Sequence, residues 1–188
     1  MALAIIYYLD SSGAVVWVLA GCLLHEAGHW MAIKLLGGKV VSFSLTLGGA
    51  ELRLSATHPL PPRKMLLAAV AGPLANLIAV AASMWLAQRG AGERLYLFAG
   101  VNLGLALFNL LPADWLDGGR VLKSLFAWFG RSAAGERLTR IFSGVVSAIL
   151  LSFGGLLFWQ SEGRNFTLLA AGLWMVAVAG REGLQTHF

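Results

Sequence analysis

The sequence predicts an all-α polytopic membrane protein, with about five transmembrane helices, a partial N-terminal helix and a short membrane-associated β-hairpin. Of the 188 residues, 58% are hydrophobic and 12% are charged, whereas a soluble domain carries about 45–50% apolar and about 25% charged residues. So few charges cannot cover the surface of a water-soluble protein of this size. The single cysteine, Cys22, excludes an intrachain disulfide.

Five apolar stretches are candidates for membrane spans, because each span needs roughly 20 residues. They are Ala14–Leu36, Met65–Ala87, Leu95–Leu111, Ile141–Trp159 and Phe166–Gly180. Residues 2–9 are apolar but too short to span, which indicates the end of a further helix or an interfacial segment. We expect residues 1–188 to form a single domain.

The segment between the first two stretches has a different pattern. Residues Val40–Leu54 alternate in polarity and are rich in β-branched side chains, and Gly48-Gly49 offers a turn. This pattern predicts a short β-hairpin. Pro61 and Pro62 then favour the start of the next helix, since proline is tolerated in the first turn.

The basic residues predict the orientation of the spans. If the first long span runs from outside to inside, eleven Lys and Arg residues fall inside and three fall outside. The three are Arg89, Arg94 and Arg164. This excess follows the positive-inside rule. The net charge of +5 does not indicate nucleic-acid binding, because no basic cluster carries interleaved aromatic residues.

A metal-binding pattern lies within the first long apolar stretch. His25-Glu26-Ala27-Gly28-His29 fits H-E-x-x-H, in which two histidines four residues apart lie on one helix face. Both imidazoles can then bind one zinc ion, with Glu26 beside it to transfer protons. Ionisable residues inside a span are costly and indicate function. The alternative is a polar packing cluster in which the histidines pair with backbone carbonyls or with Glu26.

A third ligand has to come from elsewhere, because catalytic zinc takes three protein ligands and leaves one position for water. The proline-broken segment Asn109–Arg120 offers Asp114 and Asp117. Such a break can bring a carboxylate to membrane depth where it lines a cavity. Spacing favours Asp117 slightly, and Asp114 remains a rival. Asp117 could instead cap a helix that begins at Gly118.

Three segments together resemble the site-2 proteases, which are intramembrane zinc metalloproteases. They are His25–His29, Ala71-Gly-Pro-Leu-Ala-Asn76, and Asn109-Leu-Leu-Pro followed after three residues by Leu116-Asp-Gly-Gly-Arg120. Their order and spacing match the family over nearly the whole chain. The sequence looks most like the branch that contains the stage IV sporulation protease, in a short form without PDZ or CBS domains.

The resemblance implies one Zn²⁺ per chain, with His25, His29 and Asp117 as ligands and Glu26 as the catalytic residue. Zinc would lower the pKa of a water molecule, and Glu26 would take its proton and return it to the leaving amine. The resemblance further implies that three asparagines line the site and bind the substrate backbone. These are Asn76, Asn102 and Asn109.

Two further features follow from the same resemblance. The hairpin Val40–Leu54 would dip into the membrane beside the active site and pair with an extended substrate. Trp115 departs from the branch pattern, which often has a proline at this position. The loop before Asp117 therefore lacks the stiffness that this proline would give it.

The predicted function is zinc-dependent hydrolysis of a peptide bond in or near a transmembrane segment of a membrane-tethered protein. The branch likeness implies a transcription-factor precursor of the sigma-factor type. Expected partners are this membrane-embedded substrate, the lipid bilayer and a regulatory membrane protein, but no nucleic acid. We expect a multi-pass protein of a bacterial cell membrane, with the active site open toward the cytoplasm. Two alternatives stay open: an inactive scaffold that binds membrane segments, and a metal or proton transporter.

Overall fold

The computed structural model describes residues 14–38, 40–46, 49–54, 60–160 and 173. Within these ranges lie five α-helices and two β-strands. They are α1 (Ala14–Leu35), β1 (Val40–Thr46), β2 (Gly49–Leu54), α2 (Pro62–Gln88), α3 (Arg94–Asn109), α4 (Asp117–Trp128) and α5 (Ser132–Gln160). The chain divides into two compact units, Met1–Leu110 and Leu111–Phe188.

Three of the described helices are long and apolar enough to cross a membrane, and they correspond to three of the five predicted spans. They are Val15–Leu35 of α1, all of α2 and all of α5. Large apolar side chains project from them to the outside, including Leu23, Ile78 and Ile149, each of them at least 60% exposed. Water would disfavour such a surface, whereas hydrocarbon accepts it.

The predicted span Leu95–Leu111 forms the shorter helix α3. This helix has 16 residues and is about 24 Å long, less than the ~30 Å of a hydrocarbon core. It begins at Arg94, after a turn in which Gly90 and Gly92 have positive φ. It ends at Asn109, before Pro112, which disfavours helix at the residue before it. Residues 2–9 and, apart from residue 173, the predicted stretch Phe166–Gly180 lie outside the described residues.

Small residues bring the helices of the first unit close together. A Cβ on Gly28 of α1 would come within 2.7 Å of the Ala71 carbonyl oxygen on α2. A Cβ on Gly21 would come within 2.8 Å of the Leu105 side chain on α3. Close packing through glycine is typical of membrane helices, where burial of apolar surface gives little driving force. The helix that carries the histidines is thereby pressed against α2 and α3.

The strands β1 and β2 of the same unit pair antiparallel. The register joins Ser42 to Arg53 and Thr46 to Gly49, with an irregularity between Val40 and Ser42. Alternating polarity thus coincides with two paired strands. Gly49, which the sequence places in the turn, is the first residue of β2. Residues 47 and 48 lie outside the described part.

The second unit packs α4 against α5. A Cβ on Gly135 would lie 2.8 Å from Cβ of Phe126, so glycine is required at this crossing. The buried face of α5 continues with Thr139, Ser143 and Ser147 at four-residue intervals. The hydroxyl of Thr139 donates to the Gly135 carbonyl at 2.8 Å, which satisfies that hydroxyl within an apolar helix.

Candidate metal centre

His25 and His29 lie together on the buried face of α1. Their side chains are 6% and 5% exposed, and their rings meet edge to face with centroids 4.7 Å apart. The two Nε2 atoms are 3.1 Å apart. Nitrogens that share a tetrahedral zinc at about 2.0–2.1 Å lie about 3.3 Å from each other. The pair therefore already has nearly the separation that a shared zinc ion requires.

The backbone of α2 fixes the orientation of His29. Its Nδ1–H donates to the Ala68 carbonyl oxygen at 2.8 Å. A carbonyl can only accept, so in the neutral ring the proton sits on Nδ1 and the lone pair on Nε2. A second hydrogen bond of this kind is what orients metal-bound histidines in proteins. Convergence of the two Nε2 atoms fits metal binding better than the alternative of a polar packing cluster.

Gly72 provides the space for the His29 ring. A Cβ at this position would overlap three ring atoms of His29: Nε2, Cε1 and Cδ2. Neither this role of Gly72 nor that of Ala68 was predicted from the sequence. The sequence feature that could have indicated the role of Gly72 is its position inside an apolar helix. Glycine destabilises a helix interior, so packing has to require it there. Ala68 acts through its backbone, so its residue type carries no signal.

Glu26 follows His25 on α1 and is half-buried. Successive helix residues project about a third of a turn apart. Glu26 thus belongs to the same turn as the first ligand candidate without lying on the buried stripe of the two histidines. This position suits a group that acts beside a metal ion rather than on it.

Asp117 is the first residue of α4 in the second unit, and it is 4% exposed. The N-cap position is Leu116, so Asp117 does not cap a helix that begins at Gly118. A carboxylate in the first helical turn is stabilised by the positive end of the helix dipole. Nη1 of the half-exposed Arg120 lies 3.7 Å from its Oδ1. Asp117 is thus a buried carboxyl group that lies at a helix N-terminus and near an arginine.

Asp114, the rival ligand, is engaged elsewhere. Lys123 Nζ lies 2.8 Å from its Oδ1, and the Ser143 hydroxyl lies 3.2 Å from its Oδ2. The one hydroxyl proton of Ser143 also has a nearer acceptor, the Thr139 carbonyl at 2.9 Å. The ion pair with Lys123 is therefore the contact that engages the Asp114 carboxylate within the second unit. This arrangement favours Asp117 over Asp114 as the third ligand, a choice that spacing alone left open.

Among the described residues, three buried groups could hold a metal ion: the imidazoles of His25 and His29 and the carboxylate of Asp117. Each offers one ligand atom. Two imidazole nitrogens and one carboxylate oxygen leave one position of a tetrahedral zinc for water. Magnesium and calcium prefer all-oxygen sites, so this donor set fits zinc.

The three asparagines of the predicted substrate site have different surroundings. Asn76 and Asn102 are fully buried, and Asn109 is half-buried with its Nδ2 donating to the Leu105 carbonyl at 2.9 Å. Nδ2 of Asn102 donates to the Phe98 carbonyl at 2.8 Å. Within the described part of the chain, Oδ1 of Asn102 and both amide atoms of Asn76 have no hydrogen-bond partner. Hydrogen bonds between the described helices therefore do not explain why Asn76 and Asn102 are buried.

Comparison with known proteins places this arrangement in a family. Residues 79–153 match peptidase family M50. The chain is 34% identical to Rip3 of Mycobacterium tuberculosis, which is named as a zinc metalloprotease, over 95% of this chain and 48% of that protein. It is 30% identical to the zinc metalloprotease MJ0392 of Methanocaldococcus jannaschii over 61% of this chain and 35% of that protein. The chain thus spans about half or less of the length of these relatives.

A solved structure has the same fold. The site-2 protease from Methanocaldococcus jannaschii superimposes with a TM-score of 0.72, over 96% of this chain and 84% of that chain, at 23% sequence identity. With the buried histidine pair on α1, the carboxylate at the start of α4 and the matches above, the chain carries a domain of peptidase family M50, the site-2 protease family.

Proposed function

We propose that this protein is an intramembrane zinc metalloprotease that hydrolyses a peptide bond in or near a transmembrane segment of a membrane-tethered protein. One observation carries the proposal: two buried Nε2 atoms lie 3.1 Å apart, and the Ala68 carbonyl orients one of the two rings. Polar groups are costly at membrane depth. A metal ion shared by the two imidazoles accounts both for their burial and for the short distance between their Nε2 atoms. The zinc metalloproteases among the relatives support this assignment.

We assign the ligands as His25, His29 and Asp117, with one Zn²⁺ per chain. When bound, zinc lowers the pKa of a water molecule toward 7 and polarises the scissile carbonyl. The hydrogen bond from His29 Nδ1 to the Ala68 carbonyl orients Nε2 of His29 for zinc binding. Gly72 has no side chain and so provides the space for this imidazole. The second unit contributes the carboxylate.

Glu26 is the proton carrier in this proposal. It accepts a proton from the attacking water, whose oxygen forms the new bond to the scissile carbon. It then delivers that proton to the nitrogen as the carbon–nitrogen bond breaks, so that one water is consumed and a carboxyl and an amine result. A carboxylate next to the metal suits both steps, because the same group acts as base and then as acid.

The substrate backbone has to be held in an extended form, because a helix hides its peptide bonds within its own hydrogen bonds. Asn76 and Asn102 offer amide atoms that lack partners among the described residues. We assign these atoms to the carbonyl and N–H groups of an unwound substrate, with Asn109 further along the same path. The paired strands Val40–Thr46 and Gly49–Leu54 offer an edge for strand addition beside the site.

The cytoplasmic side is the proposed entrance for water. Trp30 and Lys34 form a cation–π pair at 3.9 Å near the C-terminal end of α1, and such residues mark membrane interfaces. His29 and His25 precede Lys34 by about 8 and about 14 Å along the helix axis. With the basic residues inside, both histidines fall within the cytoplasmic half of a ~30 Å core.

The nature of the substrate rests on the branch resemblance alone. On that basis we propose a membrane-tethered transcription-factor precursor of the sigma-factor type, in a bacterial membrane, with a regulatory membrane protein as a further partner. No feature of the described residues favours a scaffold or a transporter over a protease.

The test is a comparison of two Glu→Gln variants in the purified full chain. Glu26→Gln should keep one zinc per chain and lose cleavage of single-span substrates by at least about 100-fold, the lower bound for general acid–base catalysis. Glu136→Gln makes the same change on the exposed face of α5 and should cleave like the wild type. Cleavage by Glu26→Gln at the wild-type rate would exclude the proposed role.

A further inference from the structure

The loop that precedes α4 is bound to α4 and to α5 through one residue, Asp114. The backbone N–H of Asp114 donates to the Ser143 hydroxyl on α5 at 2.8 Å. Lys123 Nζ on α4 lies 2.8 Å from Oδ1 of Asp114, and the Ser143 hydroxyl lies 3.2 Å from Oδ2. We call Asp114, Lys123 and Ser143 the loop clamp.

The loop clamp is partly shielded from solvent. Ser143 is 3% exposed, and the side chains of Asp114 and Lys123 are 14% and 37% exposed. Exposed ion pairs contribute little because water and salt screen them. Reduced solvent access strengthens this pair, and hydrogen bonds to charged groups are stronger than neutral ones.

Asp114, the loop residue of the clamp, lies three residues before Asp117, about one helical turn. The intervening backbone is tightly folded, since the N–H of Leu116 donates to the Ala113 carbonyl at 3.0 Å. A Cβ on Gly119 would collide with that same carbonyl. The path of residues 111–116 therefore decides where the first turn of α4 starts and where the Asp117 carboxylate points.

Trp115 does not restrict the loop in the way that a proline would. A proline would fix φ near −65° at its own position, whereas tryptophan does not fix this backbone torsion. The clamp adds a restraint from α4 and α5 to the hydrogen bonds within the loop. It acts through the backbone N–H of Asp114 and through its carboxylate.

We propose that Asp114, Lys123 and Ser143 are positioning residues, which hold the loop so that Asp117 is preset to bind the catalytic metal. This inference rests on the proposed function, since it takes Asp117 as a ligand. The clamp does not touch the substrate or the metal. Its effect should appear as weaker zinc binding and a lower kcat, with KM unchanged.

The experiment measures zinc affinity by chelator competition on the purified full chain. Ser143→Ala, Asp114→Asn and Lys123→Met should each weaken zinc binding about tenfold, the lower end for residues that orient metal ligands. Lys123→Arg keeps the charge and should restore most of the affinity. Ser147→Ala removes the same hydroxyl one turn further along the buried face of α5 and should bind zinc like the wild type.

Asp117→Ala separates the two proposals. If it loses zinc while the clamp variants bind zinc like the wild type, the positioning role is overturned and the ligand assignment stands. If Asp117→Ala keeps wild-type affinity, the ligand assignment falls, and the positioning role falls with it. Should Ser143→Ala fail to fold, the pair Lys123→Met and Lys123→Arg decides, because Lys123 is partly exposed and equal zinc affinity in the two would overturn the clamp.

Discussion

The two sources of the proposed ligands are built in different ways. His25 and His29 lie in the middle of one continuous helix, and glycine contacts and one backbone carbonyl hold them in place. Asp117 begins a helix after an irregular loop, and an ion pair and a serine hydroxyl hold that loop. The pairing of the two histidines follows from local helix periodicity, and close packing against α2 fixes it. The position of Asp117 instead depends on the loop before it and on polar contacts of that loop with α4 and α5. We therefore expect steric changes to damage the first most and polar changes to damage the second.

The largest expected effect is on the histidine side. Gly72→Ala places a methyl group on the His29 ring, so the imidazole has to leave its position or the helices have to separate. We expect zinc affinity to fall about 100-fold, the upper end for changes that disturb ligand orientation. Chelator competition on the purified protein measures this.

Gly100→Ala is the matched control for Gly72→Ala. A Cβ at Gly100 meets nothing within 4 Å among the described residues, so zinc affinity should stay unchanged. If the two variants bind zinc equally well, the space that Gly72 provides has no functional meaning.

This difference between the two sides also explains what the sequence could predict. The H-E-x-x-H spacing alone brought His25 and His29 together, because positions four apart share a helix face. Hydropathy alone located α1, α2 and α5, since a span has to be long and apolar. Spacing alone did not choose between Asp114 and Asp117, and only the family resemblance implied Asp117. The contacts of Asp114 with Lys123 and Ser143, which favour the same choice, could not be predicted because they join residues far apart in the chain. Helix α4 was not among the apolar stretches, since it is short and charged residues lie along it.

Two other features were missed for physical reasons. The acceptor for His29 is a backbone carbonyl, which every residue carries, so no residue type at position 68 could indicate it. Helix α3 ends at Asn109, two residues before the end of the predicted span Leu95–Leu111, because Pro112 disfavours helix at the residue before it. Hydropathy, which located this span, does not include that effect of proline on the backbone.

An intermediate effect is expected on the aspartate side. Gly119→Ala drives a methyl group into the Ala113 carbonyl, which has to shift together with the loop. Overpacking of this kind costs about 1–3 kcal/mol, and we expect it as a lower free energy of unfolding and about tenfold weaker zinc binding. Chemical denaturation and chelator competition measure the two quantities.

Gly144→Ala controls for Gly119→Ala within the same unit. A Cβ at Gly144 on α5 meets nothing within 4 Å among the described residues. Wild-type stability and zinc affinity are expected for it. A tight loop at Gly119 is refuted if both alanine variants unfold at the same denaturant concentration as the wild type.

The smallest effect on stability is expected at Asn76. Its buried amide has no hydrogen-bond partner among the described residues, and such a group costs about 1–3 kcal/mol. Asn76→Ala removes this cost but leaves a small cavity, so the stability of folding should change by less than about 1 kcal/mol. Cleavage should nevertheless fall, because the substrate backbone loses a partner.

Thermal unfolding and steady-state cleavage, measured on the same preparation, test whether Asn76→Ala lowers cleavage without lowering stability. A large loss of stability in Asn76→Ala would mean that the amide has a structural partner. Unchanged kcat/KM would remove Asn76 from the substrate path.

X-ray absorption at the zinc edge of the purified full chain tests the central claim most directly. The account predicts one zinc per chain with two imidazole nitrogens at about 2.0–2.1 Å and the remaining ligands oxygen. A protein that purifies without zinc after growth in zinc-replete medium, or a zinc spectrum without imidazole scattering, would contradict it.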